Sequence, residues 1–106
     1  MFLFIESKAF TKQSDRLLNF EQLRELQKML MENPRCGTVI QGSGGLRKMR
    51  YRSDQRGKRG GMRVIYYFLN NARTFFLLSA YPKSESTDLS PFELKILTAV
   101  IEQMKK

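Results

Sequence analysis

The hydrophobic positions of this chain change period several times, and each change marks an element. The apolar run Phe2 to Ile5, closed at once by Glu6, predicts a first strand. Ser7 then offers an N-cap for a short helix whose apolar positions Phe10 and Leu17 lie seven residues apart on one face. Asn19 offers a second N-cap. Behind it Leu23, Leu26 and Leu30 follow the spacing of a buried stripe. Asn33-Pro34 ends that helix, because proline lacks an N–H and pushes the residue before it into extended backbone. The two helices are expected to form a hairpin over one face of a sheet.

Beyond the glycine-rich connection Gly42 to Gly45 the period shortens. Leu46 to Tyr51 alternates as a strand does, with Met49 and Tyr51 on one side and Lys48 and Arg50 on the other. Ser53 to Gly61 carries Gly57, Gly60 and Gly61 and no apolar side chain, so it reads as a mobile loop. Met62 to Leu69 and Thr74 to Tyr81 are rich in β-branched and aromatic residues, and Asn70-Asn71 supplies turn chemistry for a central hairpin. Ser90-Pro91-Phe92-Glu93 is a helix start, with Ser as N-cap, Pro at the first helical position and Glu closing a capping box. Leu94, Leu97, Ile101 and Met104 give that helix one apolar face. The order strand, two helices, three or four antiparallel strands, helix defines an α+β domain spanning residues 1–106.

Composition narrows the class. With 42% hydrophobic residues and three prolines in 106 residues, the chain can bury a core, which excludes a disordered tail. Its longest apolar runs fall far short of the roughly 20 residues a membrane span needs. Phe2 to Ile5 is also too short for a signal-peptide core, so a cytoplasmic product without membrane partners is expected. Cys36 is the only cysteine and there is no histidine. No disulfide within the chain, no cysteine metal cluster and no histidine-based triad can be built, and no cofactor is called for. Cys36 itself reads as a small apolar filler.

Charge is the strongest signal. The chain carries a net charge of +9, and the stretch Arg47 to Arg63 alone carries eight basic residues against the single acid Asp54, a local +7. Arg47, Lys48, Arg50, Arg52, Arg56, Lys58, Arg59 and Arg63 thus form a surface suited to phosphates, because each cation that replaces a condensed counterion gains entropy on binding. A polyanion is the expected partner; a solvated basic loop and an acidic protein partner fit the same stretch. Neither glycine cluster has nucleotide-loop spacing: Arg59 follows Lys58 where Ser or Thr is required, and Arg47 stands where the third glycine of a dinucleotide fingerprint belongs.

The segments Gly44 to Arg50, Gly57 to Tyr67 and Tyr81-Pro82-Lys83 resemble the RelE/HigB superfamily of type II toxin-antitoxin toxins, most closely its HigB branch. The likeness extends to Phe4-Ile5-Glu6, Glu32-Asn33-Pro34 and Asp88-Leu89-Ser90. It implies a compact antiparallel sheet with an N-terminal helical hairpin and a C-terminal helix. It also implies an endoribonuclease that cleaves messenger RNA in the ribosomal A site and is silenced by a cognate antitoxin. By the same resemblance, Arg63 matches the arginine after the glycine-rich loop, Lys83 the basic residue after the fourth strand, Lys48 and Arg50 the paired cations of the second strand, and Tyr81 a tyrosine of the HigB branch. Arg47, Arg52, Arg56, Lys58 and Arg59 are expected to contact ribosomal RNA. The family's catalytic tyrosine or histidine in the last segment has no match in this chain, which leaves the proton-transfer groups open.

A site without histidine can still cut RNA, since the substrate's own 2′-OH attacks the adjacent phosphate. The protein must accept a proton, stabilise the dianionic transition state and return a proton to the leaving oxygen. Arg63 suits the second task through its planar fork. Lys48, Lys58 or Lys83 is expected to exchange protons, and Tyr81 to stack on a base or donate its hydroxyl proton. A non-catalytic RNA-binding protein and a gyrase-directed toxin of the same architecture are the alternatives, because fold does not fix function.

Overall fold

The computed structural model describes residues 1–52, 61–83 and 90–104. Its elements are β1 (Leu3–Glu6), α1 (Lys8–Leu17), α2 (Phe20–Glu32), β2 (Thr38–Val39), β3 (Arg47–Tyr51), β4 (Met62–Leu69), β5 (Thr74–Pro82) and α3 (Pro91–Met104). The helix starts follow the predicted chemistry. Ser7 Oγ accepts the Phe10 N–H at 2.9 Å and donates to the Leu78 carbonyl at 2.9 Å, so one side chain caps α1 and ties it to β5. Asn19 caps α2 in a reciprocal box with Gln22, and Ser90 does the same for α3 with Glu93.

The strands form one five-stranded sheet in the order β1-β5-β4-β3-β2. From β2 to β5 all pairings are antiparallel, as the sequence predicts. β1 differs: it runs parallel to β5, with Phe4 beside Phe75, so the sheet is mixed. Strands separated by helices are not bound to the antiparallel sense that a tight turn imposes. The turn between β4 and β5 is also longer than two residues, a single 3-10 turn over Asn70–Ala72 that ends on Arg73 in the left-handed region at φ 50°.

Two apolar layers follow from strand alternation. On one face Phe10 of α1 and Leu26 and Leu30 of α2 pack against Met49, Tyr51, Val64, Tyr66, Phe75 and Leu77. This is the helical hairpin over a sheet face. On the other face Ile101, Leu94, Leu97 and Met104 of α3 meet Leu46, Ile65, Phe76, Leu78 and Tyr81. Among the described residues no helix is long and apolar enough to cross a membrane.

Candidate nucleic-acid interface

The alternation that buries Met49 and Tyr51 beneath α2 turns Lys48 and Arg50 to the opposite face of β3. Register then assembles the site. Arg50 pairs with Arg63, and Arg63 with Tyr81, so three residues from three strands stand on one rung and share the face on which α3 packs. Lys48 lies two positions along, opposite Ile65.

Arg50, Arg52, Arg63 and Lys83, with Tyr51 and Gly61, line a pocket of about 140 Å³. Gly61 makes this convergence possible. At φ +64° it occupies backbone that side chains rarely adopt, and a Cβ there would lie 2.7 Å from the Tyr51 carbonyl oxygen. Its own carbonyl accepts the Lys83 N–H at 3.3 Å, which brings the end of β5 against the start of β4. Below the pocket the Tyr51 hydroxyl donates to the Glu25 carboxylate and fastens α2 to the end of β3.

A second concavity of about 720 Å³ is lined by Met29, Cys36, Thr38, Lys48, Met49, Arg50 and Arg63. It exists because β2 is short: its two rungs, Thr38 with Lys48 and Val39 with Arg47, leave the edge of β3 uncovered beside Met49 and Arg50. Its rim is held rigidly. The Tyr66 hydroxyl donates to the Pro34 carbonyl at 2.9 Å and accepts the Gly37 N–H at 2.9 Å. Burial pushes the Tyr66 phenol above its usual range, partly opposed by that N–H. From the other side the Arg47 guanidinium donates to the carbonyls of Gly37 at 2.6 Å and Arg35 at 3.3 Å.

The family model for the "RelE toxin of RelE / RelB toxin-antitoxin system" matches residues 24–106, most of the chain and all of the site. The chain belongs to the RelE toxin family. Solved structures of low identity share its fold. An arginine double mutant of E. coli toxin RelE in the free state aligns with a TM-score of 0.59 at 18% identity, over 94% of this chain and 96% of that one. A chain of the intact E. coli RelBE toxin-antitoxin complex aligns at 0.56 and 21%, over 77% and 96%. The archaeal RelE-RelB complex from Pyrococcus horikoshii OT3 gives 0.54 and 20%, over 80% and 98%.

In this RelE toxin the sequence-predicted cations separate into groups. Arg50, Arg63 and Lys83 line one pocket, joined by Arg52, which the sequence assigned to ribosome contact alone. Lys48 joins them through the larger concavity. Arg47 does not: as an odd-numbered position of β3 it faces the helical hairpin, and its guanidinium is committed to loop carbonyls rather than to a ligand. Tyr81 lies beside Arg63 but is only 9% exposed, packed among Leu46, Ile65 and Ile101. A ring so enclosed is part of the wall behind Arg63 and is not presented for base stacking. Cys36 is exposed rather than a core filler, its Sγ 3.8 Å from the Tyr66 hydroxyl. Arg56, Lys58 and Arg59 lie outside the described residues.

Sequence reasoning missed Met29, Thr38 and the loop-holding role of Tyr66. For Thr38 the one signal is register, since only the pairing of β2 with β3 brings it beside Lys48.

Proposed function

We propose that this RelE toxin is a ribosome-dependent endoribonuclease that stops translation by cleaving messenger RNA in the A site. The observation that carries this reading is the convergence of Arg50, Arg52, Arg63 and Lys83 on one pocket, with no acidic residue in its lining among the described residues. Like charges on one rung oppose folding, and an anion between them reverses the sign of that interaction. A bridging phosphate meets this need.

The reaction needs no nucleophile from the protein. The substrate's 2′-oxygen forms a bond to the adjacent phosphorus while the bond to the 5′-oxygen breaks, leaving a 2′,3′-cyclic phosphate and a free 5′-hydroxyl. Charge builds on the two non-bridging oxygens. Arg63 and Arg50, flanking them from paired strands, stabilise that charge through forked N–H donors. Lys48 and Lys83 stand on either side of this pair and are the candidates for accepting the 2′-OH proton and returning one to the 5′-oxygen. Tyr81 holds the rung beside Arg63. Arg52, with Arg56, Lys58 and Arg59 of the following segment, docks on ribosomal RNA.

The partner is an antitoxin, in keeping with the two similar toxin-antitoxin complexes. Assignment to the HigB branch rests on the likeness of Gly57 to Tyr67, and finding a small neighbouring reading frame with a helix-turn-helix signature would support the toxin-antitoxin reading. The test is single-turnover cleavage of mRNA on programmed ribosomes, with and without the adjacent gene product. Cleavage that the neighbour suppresses is expected. Intact mRNA with soluble, folded protein overturns the reading.

A further inference from the structure

We propose that the larger concavity is a nucleoside subsite, which takes the sugar and base next to the phosphate held in the cation pocket and biases cleavage toward particular bases. This inference rests on the RNA-cleavage reading above.

Four observations support it. First, the two pockets are continuous in function because Arg50 and Arg63 wall both. A nucleotide whose phosphate sits between them reaches the side of Met29 and Thr38 with its ribose and base in the proposed pose. Second, the sizes divide the same way. The smaller space, about 140 Å³, lies below the range of about 300–1,000 Å³ typical of organic-ligand sites and is too small for a nucleoside. The larger, about 720 Å³, lies within that range.

Third, the linings differ in chemistry. The smaller is dominated by cations, whereas the larger adds the thioethers of Met29 and Met49 and the thiol of Cys36. Soft, polarizable sulfur makes favourable contact with aromatic rings and tolerates more than one base. Thr38, exposed at the rim, supplies a hydroxyl that both donates and accepts, enough to distinguish one base edge from another. Fourth, the wall is built in advance. Tyr66 and Arg47 fix the backbone from Pro34 to Gly37 through four hydrogen bonds, so the loop next to Thr38 does not have to order on binding.

The experiment uses ribosomes programmed with mRNAs that place each of the four bases in turn at every A-site codon position. Single-turnover cleavage is followed for the wild type, Met29→Trp, Thr38→Val and the control Met31→Trp, an exposed position on α2 outside the pocket lining. Circular dichroism and thermal melting establish that each variant is folded. The ratio of rates between bases at one codon position is expected to change about tenfold in Met29→Trp or Thr38→Val, and to stay constant in Met31→Trp. Ratios within about twofold of wild type in both pocket variants, whether or not overall rates fall, overturn the subsite while leaving the RNA-cleavage reading intact. A wild-type chain that cleaves no ribosome-bound mRNA overturns both.

Discussion

Arg50 and Arg63 occupy paired positions on β3 and β4, two permanent positive charges on a single rung of the ladder. Each is held by its strand rather than by a loop, which fixes the spacing of their backbones. Like charges at paired positions work against the fold.

Replacing Arg63 with Ala should lower single-turnover cleavage by about a hundredfold or more, as loss of a transition-state charge donor does. The side chain is half-buried at the pocket wall, so the melting temperature should hold or rise as the like-charge pair is removed. Wild-type cleavage rates would show that Arg63 does not stabilise the reacting phosphate, and unfolding of the variant would make Arg63 a structural residue. Lys83→Ala should also slow cleavage without unfolding the chain, since its side chain is exposed.

Arg47 offers a contrast within the same basic stretch. Arg47→Ala should destabilise the protein by about 1–2 kcal/mol through loss of charge-assisted bonds to the Gly37 and Arg35 carbonyls. The salt dependence of ribosome binding should be unchanged, whereas Arg52→Ala should reduce its slope by about one. A reduced slope for Arg47→Ala would return this residue to the RNA-contacting set.

Tyr66→Phe removes the acceptor of a buried Gly37 N–H and the donor to the Pro34 carbonyl. Urea denaturation should register a loss of about 1–3 kcal/mol. The same residue sets an alkaline limit. Because burial raises its folded pKa, the unfolded chain gives up this proton first, near its ordinary value of about 10. Its stabilisation is complete below that pH and is lost as pH rises from there toward the folded value. Wild-type stability should therefore fall more steeply above pH of about 10 than that of Tyr66→Phe, and parallel curves would refute the assignment.

Gly61→Ala places a Cβ against the Tyr51 carbonyl in left-handed backbone. A cost of about 1–3 kcal/mol is expected, together with reduced cleavage, since the carbonyl of residue 61 also holds the Lys83 backbone. Unaltered melting and activity would mean that the strand ends adjust freely.

How far these features were legible in the sequence depends on the range of the interaction behind each. The caps Ser7, Asn19 and Ser90 act on residues three positions away, and the alternation of Met49 and Tyr51 with Lys48 and Arg50 is a property of one strand. Both can be read locally. The parallel seating of β1 on β5 joins positions about seventy residues apart, and no local pattern encodes it. For the same reason Arg47 looked equivalent to its neighbours. Charge is visible in a sequence, but the face on which a charge emerges and the carbonyls that await it depend on register. Arg52, Arg63 and Lys83 were recognisable as cations, yet their meeting depends on the close approach at Gly61.

The seating of β1 also sets an order of events during synthesis. β1 leaves the ribosome well before its sheet partner β5, so Phe4 cannot find the stacked ring of Phe75 until β5 has been made. The arginines of β3 and β4 emerge earlier, but Tyr81 and Lys83, which complete their surroundings, emerge only after that ring. A partly made chain therefore carries the charge of this toxin without its pocket. The pocket of Arg50, Arg52, Arg63 and Lys83 comes into being only when β5 joins the sheet, so it follows completion of the fold rather than exposure of a basic segment.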